Sequence, residues 1–270
     1  MHATRRNRQL VELDTSLILL AMTIAAAGVV RGLSGFGTGM IVAPVAAALY
    51  DPVTAVVLLV IIDSLPTLPL TIPVMKIARW REILPILAGF ALFVPLGIFI
   101  LKNGNETALR WLICLAILVC AATLWSGWRY RGPRGLPVSL SVGGLAGVLS
   151  GIASIPGPPV IIYWLASGMP TAIVRANLLA LFLLSELLAA ANLWAADLFD
   201  RPRIMLGLFM IPVYVLGLFA GWRLYGRASD ATYRRVAFTL IVAAAFLALP
   251  ATEMLARWLI SGGRMLFSEG

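Results

Sequence analysis

Charge is what this 270-residue chain has least of. Only 12% of its residues are Asp, Glu, Lys or Arg, against roughly 25% in a soluble domain. Histidine occurs once, as His2, and cysteine twice, as Cys114 and Cys120. The shortage of charge excludes a water-facing surface. With 61% of residues apolar and a mean hydropathy of +0.96, most of the exterior faces hydrocarbon. Soluble enzymes, nucleic-acid binders and disordered tails are thereby excluded, although the net charge of +9 would suit a nucleic acid in a soluble protein. The lone histidine removes most imidazole chemistry. The two cysteines, six positions apart in one apolar run, lie on different sides of a helix and form no disulfide or metal motif. No cofactor or metal signature is found, and no enzyme activity is expected.

What is present is a series of long apolar runs separated by short basic clusters, the pattern of a polytopic membrane protein. At 1.5 Å per residue, about 20 apolar residues cross the hydrocarbon core. By that measure residues 53–75, 83–101, 111–125, 171–196, 204–222 and 236–255 each read as one span. Two stretches, 16–50 and 138–167, are too long for one crossing. Each is interrupted, the first at Gly32-Leu33-Ser34-Gly35-Phe36-Gly37-Thr38-Gly39 and the second at Ser150-Gly151-Ile152-Ala153-Ser154-Ile155-Pro156-Gly157-Pro158-Pro159.

The interruptions recur in order. Leu33-Ser34-Gly35 matches Leu149-Ser150-Gly151, Asp51-Pro52 answers Met169-Pro170, and Pro95-Leu96-Gly97 answers Val215-Leu216-Gly217, each about 115–120 residues apart. The expected fold is all-α, with two homologous halves, about eight to ten transmembrane segments and two Gly/Pro-broken hairpins. The expected organisation is a tail over 1–15, one membrane repeat over 16–131, a second over 132–260 and a tail over 261–270. The basic clusters Lys76/Arg79/Arg81, Arg129/Arg131/Arg134 and Arg223/Arg227/Arg234/Arg235 belong on the cytoplasmic side. Two spans separate the last two clusters, so the second broken block crosses an even number of times. If the first does likewise, the halves are inverted and both termini lie outside. Arg5, Arg6 and Arg8 pull the other way. Ala25-Ala26-Ala27 would suit signal cleavage, but Glu12 and Asp14 precede it and the segment is half of a repeat, so it reads as a retained helix.

Irregular backbone at membrane depth leaves peptide groups unpartnered, so it persists only inside protein or against a watered cavity. A break also exposes the free N–H groups of the following half-helix, where partial positive charge favours an anion. The half-helices are expected to begin near Thr38–Met40 and Pro158–Val160. The candidate anion ligands are Ser34, Gly35, Gly37, Thr38, Gly39, Ser150, Ser154 and Gly157, whose backbones and hydroxyls offer donors, together with Pro158, which starts the second half-helix and gives up only a donor that was already free. Tight helix packing is the competing role for any single glycine. Four ionisable residues lie inside spans, where each costs about 2.5–3.5 kcal/mol. Arg31, just before the first break, is suited to hold an oxyanion. Arg175, one turn inside its helix, suits either a substrate contact or snorkelling. Asp63 and Glu186, at mid-span, are candidate proton carriers, with hydrogen bonding between helices as the alternative. Arg175 and Glu186 share a helix face about 16 Å apart and line one path. Asn177, Ser185 and Asn192 form a polar stripe that reads as helix-to-helix adhesion.

Gly32-Leu33-Ser34-Gly35 fits an intramembrane serine protease, but no histidine base follows His2. The Gly cluster does not follow a soluble strand, so a nucleotide fingerprint fails too. The stretches Val30–Gly37, Leu149-Ser150-Gly151, Gly157-Pro158-Pro159-Val160, Gly168-Met169-Pro170 and Phe182 resemble the TauE/SafE sulfite and organosulfonate exporter family, also called the toluenesulfonate uptake permeases. The chain departs from it in Gly-Thr-Gly and Ala-Ser-Ile-Pro, where many members run three glycines. The resemblance implies a permease of the bacterial inner membrane for sulfite, sulfoacetate or another sulfonate, and protons taken by Asp63 or Glu186 could couple the movement. Its partners would be the small anion, protons and the lipid bilayer, and a homo-oligomer is compatible with it. The alternative is a membrane scaffold whose broken helices only pack.

Overall fold

Proline and glycine cut the apolar chain into helices at the positions their chemistry dictates. The computed structural model describes residues 2–128, 130, 132–165, 167–224 and 230–250, and among these the side chains of all but 2–14, 34, 70, 165, 171, 230–234, 236 and 237. The helices are α1 (His2–Ser34), α2 (Thr38–Leu49), α3 (Pro52–Thr71), α4 (Trp80–Asn103), α5 (Glu106–Trp125), α6 (Leu136–Ala153), α7 (Gly157–Leu165), α8 (Thr171–Ala195), α9 (Arg201–Leu224) and α10 (Asp230–Leu247), with one 3-10 turn at Pro73–Lys76. No strand occurs among the described residues. Among the described residues seven helices, α1, α3, α4, α5, α6, α8 and α9, are long and apolar enough to cross a membrane; α2 and α7 are shorter, and within α10 the apolar stretch described is Phe238–Leu247. The span expected at 236–255 and the tail expected at 261–270 run past the described residues.

Local chemistry sets the ends. Asp51 caps α3 by accepting the Thr54 N–H at 2.8 Å, with Pro52 at the first helical position, where its missing N–H costs nothing. Asn105 caps α5 through the Ala108 N–H at 3.2 Å. The two breaks are shorter than the sequence suggests. α1 stays helical through Ser34 and turns at Gly35 (φ +80°) and Gly37 (φ +106°), backbone that glycine adopts without strain. α6 runs through Ala153 and ends at Ser154, which takes the left-handed conformation (φ 56°) and returns its N–H to the Ser150 carbonyl at 2.8 Å.

Glycine stripes set the packing. A Cβ on Gly28 or Gly32 of α1 would strike backbone atoms of Tyr214, Leu218 and Trp222 on α9, and one on Gly217 or Gly221 would strike Ala25 and Val29. The rising numbers on both sides make α1 and α9 parallel. In the same way Gly143, Gly147 and Gly151 of α6 lie on the backbone of Ile86, Phe90 and Gly97 of α4, again in parallel. Removing Cβ atoms lets the helix backbones close to van der Waals contact, which in lipid replaces the missing hydrophobic drive. These glycines are therefore packing residues.

The directions of the helices define two faces. Val74 and Ile77 after α3, Arg175 at the start of α8 and Trp222 at the end of α9 line one cavity, so these ends share a face with Lys76, Arg79 and Arg223. Arg134 joins it, because α6 begins there alongside α4. On the opposite face Arg203 ties the start of α9 to α3. Its guanidinium donates to Thr54 Oγ1 at 3.1 Å and pairs with Asp200 at 3.0 Å and Asp51 at 3.9 Å. α1 enters from this opposite face and α2 returns to it, since α2 ends beside Asp51. α6 enters from the basic face and α7 returns to it, where Ser139 Oγ meets Tyr163 Oη at 2.9 Å. The start of α1, which carries Arg5, Arg6 and Arg8, therefore points away from the basic face.

Candidate transport site

The two breaks meet in the interior. A Cβ on Gly39, one residue into α2, would lie 2.3 Å from the Ser154 carbonyl, so the backbones of the two interruptions touch. Around this contact is a hollow of about 40 Å³ lined by Arg31, Phe36, Gly37, Thr38, Gly39, Met40, Asp63, Ser150, Ser154, Ile155, Pro156, Gly157, Pro158, Phe182, Glu186 and Ala189. The first residues of both half-helices, α2 and α7, are on its wall, so two positive dipole ends converge there. A hollow of about 40 Å³ has room for roughly three waters.

The charged residues on its wall come from three helices. Arg31, near the end of α1, lies 3.4 Å from an oxygen of Asp63 on α3 and 3.9 Å from one of Glu186 on α8. Its guanidinium also lies over the Phe182 ring, 5.5 Å from the centroid. All three ionisable residues are buried, at 8%, 8% and 9% exposure. Tyr214 of α9, fully buried, donates its hydroxyl hydrogen to Asp63 and meets the Thr38 hydroxyl at 3.0 Å. The chain Thr38–Tyr214–Asp63–Arg31 thus joins the first residue of a half-helix to the ion pair. The other Glu186 oxygen, Oε2, is buried without a hydrogen-bond partner among the described residues. One guanidinium stands against two carboxyls.

Of the residues expected from sequence, Arg31, Gly37, Thr38, Gly39, Ser150, Ser154, Gly157, Pro158, Asp63 and Glu186 are together on the hollow. Arg175 and Gly35 are not. They line a second cavity of about 500 Å³ on the basic face, a vestibule that shares Arg31 with the hollow. Arg175 and Glu186 therefore line two cavities that share Arg31. The side chain of Ser34 lies outside the described residues. Asn177 accepts the Arg79 N–H at 2.7 Å and Asn192 donates to its own helix at Leu188 O, so those two serve as structural ties. Sequence reasoning missed Tyr214 as a site residue. The available signal was a phenol near mid-span in α9, which ionised-residue searches pass over.

A bundle of membrane-length helices, interrupted twice so that both interruptions close around a charged hollow with a vestibule on one face, defines a multi-pass membrane transporter. Residues 20–248 match the family described as Sulfite exporter TauE/SafE, and the chain belongs to that family. It is 27% identical over 251 residues to the probable sulfite/organosulfonate exporter TauE of Cupriavidus necator, across 89% of this chain and 96% of that protein. No solved structure matches it.

Proposed function

We propose that the chain is a proton-coupled permease of the bacterial inner membrane that carries small sulfur oxyanions, sulfite foremost, through the hollow at the two breaks. The observation that carries this reading is the convergence of two half-helix N-termini and Arg31 on one buried hollow. Helix N-termini and a guanidinium are donors without acceptors, matched to the several weakly basic oxygens of such an anion. Room for about three waters suits the four heavy atoms of sulfite. A sulfonate with a carbon tail fits if its tail extends past Arg31 into the vestibule, where Arg175 adds a second cation.

Charge counting supports the proton. Arg31 neutralises one of the two buried carboxyls, and a second bare carboxylate in the span costs about 2.5–3.5 kcal/mol. Bringing in an anion beside it raises that cost, unless a proton arrives with the anion. Glu186, with an oxygen lacking a partner, is the natural carrier, and Asp63 is held by Tyr214 and Arg31. The halves 16–131 and 132–260 are read as inverted repeats, on the strength of the paired motifs and of hairpins entering from opposite faces. Lys76, Arg79, Arg134 and Arg223 assign the basic face, and with it the vestibule, to the cytoplasm.

Purified protein in vesicles tests the proposal. Sulfite raises the thermal midpoint of the wild type, because a ligand of the folded form stabilises it. Arg31→Gln loses that rise and most of the sulfite flux, while the protein still inserts. Glu186→Gln retains sulfite binding and loses the dependence of flux on a pH gradient. Equal flux in Arg31→Gln and wild type sinks the transport site and favours a scaffold. Gradient-dependent flux in Glu186→Gln sinks the role of that carboxyl.

A further inference from the structure

Where α5, α6 and α7 meet on the outside of the bundle, a groove of about 400 Å³ runs between Val119 and Cys120 on one side and Val142 and Leu145 on the other. Its wall is hydrocarbon because the nearby polar atoms are satisfied within the protein. Thr123 donates to Val119 O at 2.7 Å, Tyr130 to Pro133 O at 3.0 Å, and Tyr163 Oη meets Ser139 Oγ at 2.9 Å. An occupant of this groove meets almost only apolar atoms along its length and must itself be apolar.

The dimensions fit one kind of occupant. Along α6 the groove runs from Val138 to Leu149, about 16 Å at 1.5 Å per residue. Half of a hydrocarbon core is about 15 Å, so the groove is one leaflet deep. A helix of a second copy would need a trough through both leaflets, whereas this one stops at Pro158 and Pro159, at the start of α7. Its other end lies at the basic face, among Trp128, Tyr130 and Tyr163, aromatic residues of the kind that collect at the membrane interface. Arg134 stands at that mouth. It lies over the Tyr163 ring at 5.1 Å and donates one N–H to the Tyr163 carbonyl at 2.7 Å, and its exposed fork has further donors for a phosphate.

We infer that this groove is a binding site for an acyl chain of an anionic phospholipid in the basic-face leaflet, with the headgroup phosphate on Arg134. Pro158 lines both the groove and the transport hollow. The chain therefore backs the first turn of α7 from the lipid side while substrate meets it from within. The inference stands on the groove alone and does not depend on which solute the hollow accepts.

Native mass spectrometry of the whole protein in mild detergent, after exchange into phosphatidylglycerol or phosphatidylcholine, is the test. The wild type retains one phosphatidylglycerol and exchanges phosphatidylcholine freely. Leu145→Trp, which fills the groove from a lipid-exposed position, loses the retained lipid. Arg134→Gln keeps a lipid but no longer prefers phosphatidylglycerol. A second measurement leaves the sequence intact: bound phosphatidylglycerol slows labelling of Cys120 by an apolar maleimide several-fold. Equal retention in wild type and Leu145→Trp, a labelling rate indifferent to phosphatidylglycerol, or a dimer mass in place of bound lipid overturns the assignment.

Discussion

Arg31 is the residue on which the hollow turns, but it is Tyr214 that fixes the geometry around it. The phenol is bonded on both sides, to Asp63 and to Thr38 at 3.0 Å, in a site where an unmade hydrogen bond costs about 1–3 kcal/mol. Tyr214→Phe keeps the ring and strands both partners. Its thermal midpoint falls accordingly, and sulfite no longer stabilises it as well as the wild type. A double-mutant cycle of Tyr214→Phe with Asp63→Asn gives a coupling of about 0.5–3 kcal/mol; strict additivity contradicts a relay. At this scale the sequence revealed unevenly. Arg31, Asp63 and Glu186 were legible because a charge inside an apolar run is conspicuous at any position. Tyr214 was not, since an aromatic residue in a span looks the same whether it faces lipid or the interior. Arg175 was expected beside Glu186 on one helix face, yet the cavity it lines depends on where α8 begins relative to α1.

At the scale of elements, glycine decides how closely the helices approach. Gly143 meets the Ile86 carbonyl so directly that a Cβ would stand 1.9 Å from it. Backbone cannot turn aside as a side chain can. Gly143→Leu must push α4 and α6 apart, at a cost of about 1–3 kcal/mol or more. Gly135→Ala is the milder comparison, because its Cβ meets only Pro137 Cδ at 3.7 Å and the change costs no more than about 1 kcal/mol, that of a glycine N-cap replaced by alanine. Thermal unfolding of the two variants in detergent checks the contrast. The sequence displayed both kinds of glycine in one cluster without sorting them. Gly28, Gly32 and Gly151 lie within helices and serve packing, whereas Gly37 turns the chain and Gly39 brings the two breaks into contact.

For the whole molecule, the consequence is sidedness. The vestibule lies at the basic face, and the opposite face carries the Arg203 tie to Asp51, Asp200 and Thr54. In a background with both native cysteines replaced by alanine, Ala172→Cys at the vestibule reacts with an impermeant thiol reagent in inverted vesicles and not in right-side-out ones. Glu106→Cys, at the start of α5 on the opposite face, shows the reverse. Labelling of both from the same side refutes the orientation assigned by the basic loops. The N-terminal Arg5, Arg6 and Arg8 were the one conflicting signal. The parallel packing of α1 on α9 puts the start of α1 on the face opposite the basic loops, because Gly28 and Gly32 lie on the backbone of residues 214–222 in rising order.

The sequence by itself determined residence in a membrane, the two interruptions and their repetition, and the buried ions. Each of these acts locally, through desolvation, a missing backbone donor or a backbone angle open to glycine, so each leaves a mark in one dimension. Only the tertiary structure decided that the interruptions touch, which residues share the hollow and which stand in its vestibule. Those facts depend on surfaces brought together from distant parts of the chain, Gly28 against Leu218 and Gly39 against Ser154, and the fit between two surfaces is a property of neither segment alone.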